Sequence, residues 1–320
     1  MAELAVARGL TRHYAVGSGL VRGRGVVRAL EDVSFEVREG EILGVVGESG
    51  CGKSTLGRCL LRLEVPTAGA VSVAGMDLAA LRGRREVLAL RRAAQMIFQD
   101  PYGSLNPRLR VGSIVGEGLA IHGIGGRSER PERVGALLRQ VGLAPDDARK
   151  FPHELSGGQR QRVAIARALS VGPRFVVADE PVSALDPSVQ AQVVNLLLDL
   201  QEQHGLTYLL VSHDLGLVGR IADRVLVLYL GRIVEQGVAA EVLAAPLHPY
   251  ARALVDAAPV GDPALRRARV VVEGEPPSPL DPPPGCAYHP RCPLVIGRCR
   301  EERPPLRGTD RQVACWVTGG

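Results

Sequence analysis

The sequence predicts an α/β fold organised around a glycine-rich, phosphate-wrapping loop. Three observations predict it. Strand-sized apolar runs (EILGVV, FVVAD, YLLVS, RVLVLYL) alternate with segments of helical spacing. The loop GESGCGKST lies between the first of these runs and the helical segment TLGRCLLRL. The second run ends in two carboxylates, Asp179 and Glu180, at the strand edge where parallel α/β sheets place their ligands.

Taken in order, residues 1 to about 92 carry the strand patterns VRALEDVSFEV and GAVSVAG together with the glycine loop. From about 93 to 170 the patterns are helical, ending in LSGGQRQRVAIARAL, and read as a subdomain inserted into the sheet. From 171 to about 240 buried strands return, with the helix VQAQVVNLLLDLQEQ between the first two. The stretch 241–320 holds 14 of the 23 prolines, enough to make it a loop-rich appendage. No internal repeat is visible. With 46% hydrophobic and 23% charged residues the chain buries a sizeable core, and no apolar run reaches the roughly 18–20 residues needed to cross a bilayer. The opening MAELAVARGLTRHY lacks a long apolar signal segment, which places the protein in the cytoplasm. The net charge of +5 is dispersed and aromatics make up 3%, a poor match to the basic, aromatic-laced surface of a nucleic-acid binder.

The loop supplies the first chemistry. Gly47, Gly52, Lys53 and Ser54 satisfy GxxxxGK[ST] between a strand and a helix, the setting that makes the pattern a phosphate-binding P-loop. The backbone of Gly47, Glu48, Ser49, Gly50, Cys51, Gly52, Lys53, Ser54 and Thr55 wraps the phosphates, Lys53 reaches the β- and γ-phosphates, and the Ser54 hydroxyl suits magnesium. Cys51 and Cys59 read as filler and core. Asp179 suits magnesium, while Glu180, expected to point elsewhere because strand side chains alternate, suits polarising the attacking water. The plainer reading of that acidic pair is a cap on the next helix. LSGGQRQR at 155–162 offers free backbone N–H groups to an anion at a helix start, yet no lysine stands beside it.

These motifs together resemble the ATP-binding subunits of ABC transporters. LSGGQ matches that family's signature, and Gln99 in MIFQDP, SALD at 183–186, His213 in LLVSHD and Tyr14 meet further positions in order. The resemblance implies a P-loop NTPase core with an antiparallel β subdomain, an inserted helical subdomain and a Pro/Cys-rich C-terminal appendage, divided as an ATPase domain over 1–240 and a tail over 241–320. It implies ATP with Mg2+, two such subunits dimerised head to tail, and a signature (Ser156, Gly157, Gly158, Gln159) that grips the γ-phosphate held by the partner; the missing lysine then belongs to that partner. In the same terms Tyr14 stacks on adenine, Gln99 contacts magnesium or its water as well as a transmembrane subunit, His213 bonds the γ-phosphate, and Asp186 lies at the dimer seam. Tyr14 as a surface residue and His213 as a structural one are the plainer alternatives.

VGESGCGKSTLGR, FQDPYGSLNPR, PLHPYARALVDA and GCAYHPRCP are similar to the ATPase subunits of oligopeptide, dipeptide and nickel importers. The resemblance implies an ATPase at the cytoplasmic face of the membrane, paired with a related ATPase subunit or a second copy of itself. Two permease subunits and, indirectly, a substrate-binding protein complete the expected assembly, which energises peptide import. A nickel or sugar importer and a non-transport ABC ATPase are the alternatives. Finally, Cys286, Cys292, Cys299 and Cys315 crowd a segment too short and proline-rich for its own core, so a ligand is expected to hold it together. Their x5, x6 and x15 spacings lack the CxxC pairs usual in zinc sites. The importer resemblance favours a [4Fe-4S] cluster, with zinc or unligated thiols as alternatives, in a structural role because the tail lies far along the chain from every nucleotide residue.

Overall fold

The computed structural model describes residues 2–16, 25–258 and 277–319. Pro259, Pro263 and Pro276 of the proline-rich stretch lie outside these residues. The chain opens with two long strands, β1 (Glu3–Val16) and β2 (Gly25–Arg38). Val33, Phe35 and Val37 on β2 are buried at the two-residue period of a strand with one covered face. β3 (Ile42–Val46) is buried at all five positions and leads into the P-loop and α1 (Lys53–Leu60). Then come β4 (Ala68–Val73), β5 (Met76–Asp77), α2 (Arg84–Ala93), β6 (Ala94–Ile97), α3 (Pro101–Ser104), α4 (Val111–Ile121) and α5 (Arg130–Gln140). Two short 3-10 turns precede α6 (Gly157–Leu169), β7 (Phe175–Asp179), α7 (Pro187–His204) and β8 (Thr207–Val211). The chain continues through α8 (Leu215–Ile221), β9 (Arg224–Tyr229), β10 (Arg232–Val238), α9 (Ala239–Ala244) and α10 (Pro249–Ala257) to α11 (Gly297–Glu301) and β11 (Gln312–Val313).

These elements form two compact bodies. The first comprises Met1–Leu4, Arg38–Gly40 and Val73–Leu209. In it the strands run in the order β8-β7-β6, and β6 pairs parallel with β7 from Ala94↔Phe175 to Ile97↔Ala178. β7 is buried throughout, as expected of a continuous apolar run covered on both faces. Helices α4, α5 and α6 pack on one another around Val115, Leu138 and Val163. α7 starts with Pro187 at its first turn and stops at Gly205, whose φ of 62° is the left-handed conformation that terminates helices.

The second body comprises Ala5–Val37, Glu41–Ser72 and Leu210–Gly320. One of its sheets runs β2-β1-β4 and the other β11-β10-β9-β3, with β3 parallel to β9 and β10 antiparallel to both neighbours. β9 and β10 join through Leu230 and Gly231, both at positive φ (43° and 75°), as a two-residue hairpin with right-handed strand twist requires. β11 is the far end of the cysteine-bearing tail. It joins the sheet edge through Glu235↔Val313 and Gln236↔Gln312, and the Ala314 N–H donates to the Val234 carbonyl at 2.8 Å. Among the described residues no helix is long and apolar enough to cross a membrane.

Candidate functional site

The P-loop belongs to the second body. Gly47 has φ 154° and an added Cβ would stand 2.2 Å from the Leu228 carbonyl oxygen; at Gly52, φ 108°, it would stand 2.3 Å from that of Ala29. Both glycines are therefore demanded by the close passage of neighbouring backbone, which fixes the loop's path before any ligand arrives. Lys53 is buried, and its Nζ donates to the Gly47 carbonyl at 2.8 Å and the Glu48 carbonyl at 3.0 Å, so the ammonium is folded back over the loop. Burial pushes the Cys51 and Cys59 thiols up, Cys59 to about 12, which keeps both as neutral, inert core groups at ordinary pH. Tyr14 lies on β1 with the Arg12 guanidinium 4.4 Å from its ring centroid, so one face of the ring is already covered by a cation. His213 is exposed just past β8, beside Asp214, which caps α8 by accepting from the Leu217 N–H at 3.0 Å.

In the first body Asp179 closes β7 and is 2% exposed. Glu180 does not continue the strand: its φ is 46°, so its direction is set by a left-handed turn at the strand end and not by the alternation expected from the sequence. The Gln99 amide Nε2 donates to Glu180 Oε2 at 2.8 Å, bringing together two residues 81 apart in the chain. At LSGGQ a reciprocal capping box forms: Ser156 Oγ accepts from the Gln159 N–H at 3.3 Å, and Gln159 Oε1 accepts from the Ser156 N–H at 2.9 Å. A Cβ on Gly158 would meet a Val189 methyl at 2.5 Å, so this glycine also permits close packing of α6 against α7. The nearby arginines are committed to the fold. Arg160 donates to the Pro152 carbonyl at 2.6 Å with its guanidinium 3.7 Å from the Tyr102 ring centroid, and Arg167 donates to the Ser104 carbonyl at 2.6 Å. Asp186 is exposed at the N-terminus of α7, its carbonyl accepting from the Val189 and Gln190 N–H groups at 2.9 Å.

The tail, in the second body, reaches the P-loop. Arg291 donates to both carboxylate oxygens of Glu48, through one terminal nitrogen at 3.0 Å and the other at 3.2 Å, and the Glu48 N–H donates to Tyr250 Oη at 2.7 Å. Distance along the chain, the ground for expecting a purely structural role, does not keep the tail away from the P-loop in space: the two meet at Glu48. Cys286, Cys292, Cys299 and Cys315 line one small cavity together with Tyr288, His289 and Trp316. Burial, with the neighbouring thiols adding to it, pushes Cys286 up to about 11. Among the described residues, however, no group of three or more His, Cys, Asp or Glu side chains is set to hold one metal ion, so the expected metal centre is not preformed.

A model of the ABC transporter family matches residues 30–183, and a model of the oligopeptide/dipeptide transporter C-terminal region matches 234–299. The di/tripeptide transport ATP-binding protein DppF of Pseudomonas aeruginosa is 51% identical over 98% of this chain and 98% of its own length. The chain belongs to the ABC transporter ATP-binding family. A second relative of this ABC ATPase, named for peptide ABC transport, is y4tS of Sinorhizobium fredii, 55% identical over 96% of this chain and 88% of that one. Among solved structures, the dimeric, post-hydrolysis ABC cassette MJ0796 bound to ADP and Pi is 30% identical, with a TM-score of 0.66 over 74% of this chain and 99% of that one.

Sequence reasoning named no role for Arg291 and Tyr250 in this ABC ATPase, although both sit in segments that carry the importer resemblance. No local pattern marks a guanidinium 243 residues from its carboxylate. The one available signal is that HPR at 289–291 places a cation inside a cysteine cluster that has no acidic residue of its own between Cys286 and Cys299.

Proposed function

We propose that the chain is the ATP-hydrolysing subunit that energises uptake of di- or oligopeptides by an ABC importer, working as one of two ATPase subunits against two permease subunits that receive peptide from a binding protein. The observation that carries this is the presence of both matched regions, cassette and oligopeptide-transporter tail, in one chain that aligns with a di/tripeptide ATPase subunit from end to end. Each residue then has a task. Lys53 turns from its loop carbonyls to the β- and γ-phosphates, and Tyr14 offers adenine the ring face that Arg12 leaves. Glu180, held by the Gln99 amide, orients and polarises the attacking water; His213 donates to the γ-phosphate. The N–H groups of Gly157 and Gly158, presented by the Ser156–Gln159 box, bind the γ-phosphate of nucleotide on the other subunit, and Asp186 adjoins that seam.

The oxygen donors Ser54, Asp179 and Gln99 fit magnesium, a hard cation, and Asp179 is a buried carboxylate suited to balancing its charge. Bound there, the ion would supply charge neutralisation on the phosphoryl oxygens. In the first body a groove of about 680 Å³, lined by residues of α4, α5 and the segments flanking them, apolar at Leu109, Val134 and Pro145 and charged at Arg127, Arg130 and Asp146, suits an amphipathic cytoplasmic helix of a permease. In this reading the chain works peripherally, on the cytoplasmic face of the membrane. The four tail thiols line one cavity, and their spacing without CxxC pairs, with the importer resemblance, favours an iron–sulfur cluster there over zinc. Cys286, Cys292, Cys299 and Cys315 would hold it, and it would cross-link a segment with no core of its own.

Co-purification from membranes tests the function: two permease subunits and a peptide-binding protein that stimulates ATP turnover are expected. Ribosomes or DNA in their place would overturn the importer reading. Iron and sulfide at about four each per anaerobically purified chain are expected for the cluster, and stoichiometric zinc or no metal would overturn it.

A further inference from the structure

The contacts at Glu48 join three things that chain order keeps apart. Its carboxylate takes two terminal nitrogens of Arg291, whose side chain is 7% exposed; its N–H donates to Tyr250 Oη; and its carbonyl accepts from Lys53 Nζ at 3.0 Å. Arg291 immediately precedes Cys292 and lies between it and Cys286, so its backbone is continuous with two residues, His289 and Cys292, that line the four-thiol cavity. A second route runs through packed rings. Tyr288, on the cavity wall, contacts Tyr250 and Tyr229 with ring centroids 5.4 and 5.3 Å away, and Tyr250 carries the hydroxyl that receives the Glu48 N–H. Tyr250 is itself fixed, because its N–H donates to His248 Nδ1 at 3.0 Å; burial pushes that imidazole down to about 3, so the ring is neutral at neutral pH and Nδ1 is its acceptor nitrogen. The Glu48 peptide is thus gripped on one side by the tail and on the other by the lysine that meets the phosphates.

We propose that Arg291 is a positioning residue for the P-loop, and that through Glu48 it couples the four-thiol cavity energetically to the nucleotide site. Filling or ordering the cavity holds Arg291, which holds Glu48 and the loop peptide to which Lys53 is bonded. Linkage is reciprocal, so nucleotide on the loop stabilises the tail by the same factor. This rests on the reading that the loop from Gly47 to Lys53 binds ATP.

Hydrogen exchange of the full chain, as purified, with and without saturating ADP, tests it. The amides of Cys286, His289, Cys292 and Cys299 all donate within the tail and report its opening. ADP is expected to slow their exchange by a factor within the usual range for coupled sites, about 5- to 150-fold. Glu48→Gln keeps the side chain's shape and should shrink that factor severalfold. Arg291→Ala should abolish it and weaken ADP binding by the same ratio, Arg291→Lys restoring part of both. The Glu48→Arg, Arg291→Glu double variant should recover protection relative to either single change. Wild-type protein that binds ADP yet shows unchanged exchange in these amides overturns the coupling and leaves the nucleotide site standing. Wild-type protein that binds no ADP overturns the nucleotide reading itself.

Discussion

Removing the Glu235 carboxylate is expected to unpin the tail and the turn that carries Tyr250. Glu235 is fully buried on β10 and accepts from the Leu247 N–H at 3.1 Å, the His248 N–H at 2.7 Å and Arg311 at 2.6 Å. The Arg311 side chain is itself 18% exposed and sits next to β11. Glu235→Ala leaves a largely buried guanidinium with the Ala245 carbonyl but without its carboxylate, and two backbone donors without an acceptor, a loss of about 3–5 kcal/mol for a broken buried ion pair. Glu235→Gln keeps an acceptor oxygen and the volume, and should cost about 1–3 kcal/mol. At about 1.4 kcal/mol per tenfold, the alanine variant's amides at His248 and Ala314 should exchange about a hundredfold faster or more, provided they open locally in the wild type. Amide exchange is the suitable assay because a chain with two bodies need not unfold in a single step. Acceleration of less than about tenfold at both amides in Glu235→Ala would refute the reasoning, since a carboxylate with these partners cannot be removed so cheaply.

Lys53→Ala is expected to abolish ATP binding measured by equilibrium dialysis, because the β/γ-phosphates lose their cation; unchanged affinity and turnover would sink the P-loop assignment. Glu180→Gln should bind ATP and trap a closed dimer visible by size exclusion while turnover falls at least about 100-fold, the usual scale of general-base loss. Wild-type hydrolysis in that variant would remove Glu180 as the base. Ser156→Arg should spare nucleotide binding by the isolated chain and cripple the assembled transporter, and a loss of binding by the monomer would argue against a pocket shared between subunits. Gly158→Ala should lower stability by about 1–3 kcal/mol through overpacking on Val189, with Val189→Ala in the same chain recovering part of the loss in a denaturant titration.

What could be read from the sequence was what is encoded locally. β3, β7, β8 and β9 announce themselves as near-continuous apolar runs because both their faces are covered, and α7 carries its own start and stop in Pro187 and Gly205. The P-loop is equally local, since its glycines answer to backbone that passes within van der Waals distance and its lysine folds back over six residues. Legibility ended where a side chain's meaning depends on something distant. Glu180 leaves the strand in a left-handed turn that no pattern of alternation reveals. Gly158 serves the packing of two helices as much as any anion. Tyr14 shares its ring with Arg12, and the basic residues after LSGGQ, which in sequence look available to a phosphate, are spent on carbonyls of the fold. Arg291 and Glu48 meet across most of the chain, and only the folded tail shows it.

β11 is only two residues long, yet it occupies the outer side of β10. Without it, the N–H and C=O groups of Val234, Glu235 and Gln236 that now pair with Gln312, Val313 and Ala314 would face outward in a row. An open strand edge of that kind is a template for another chain's backbone. The last residues of the tail therefore also act as a guard against self-association. A chain shortened to end before Gln312 should form sheet-edge oligomers as its concentration rises, even where its nucleotide loop is intact.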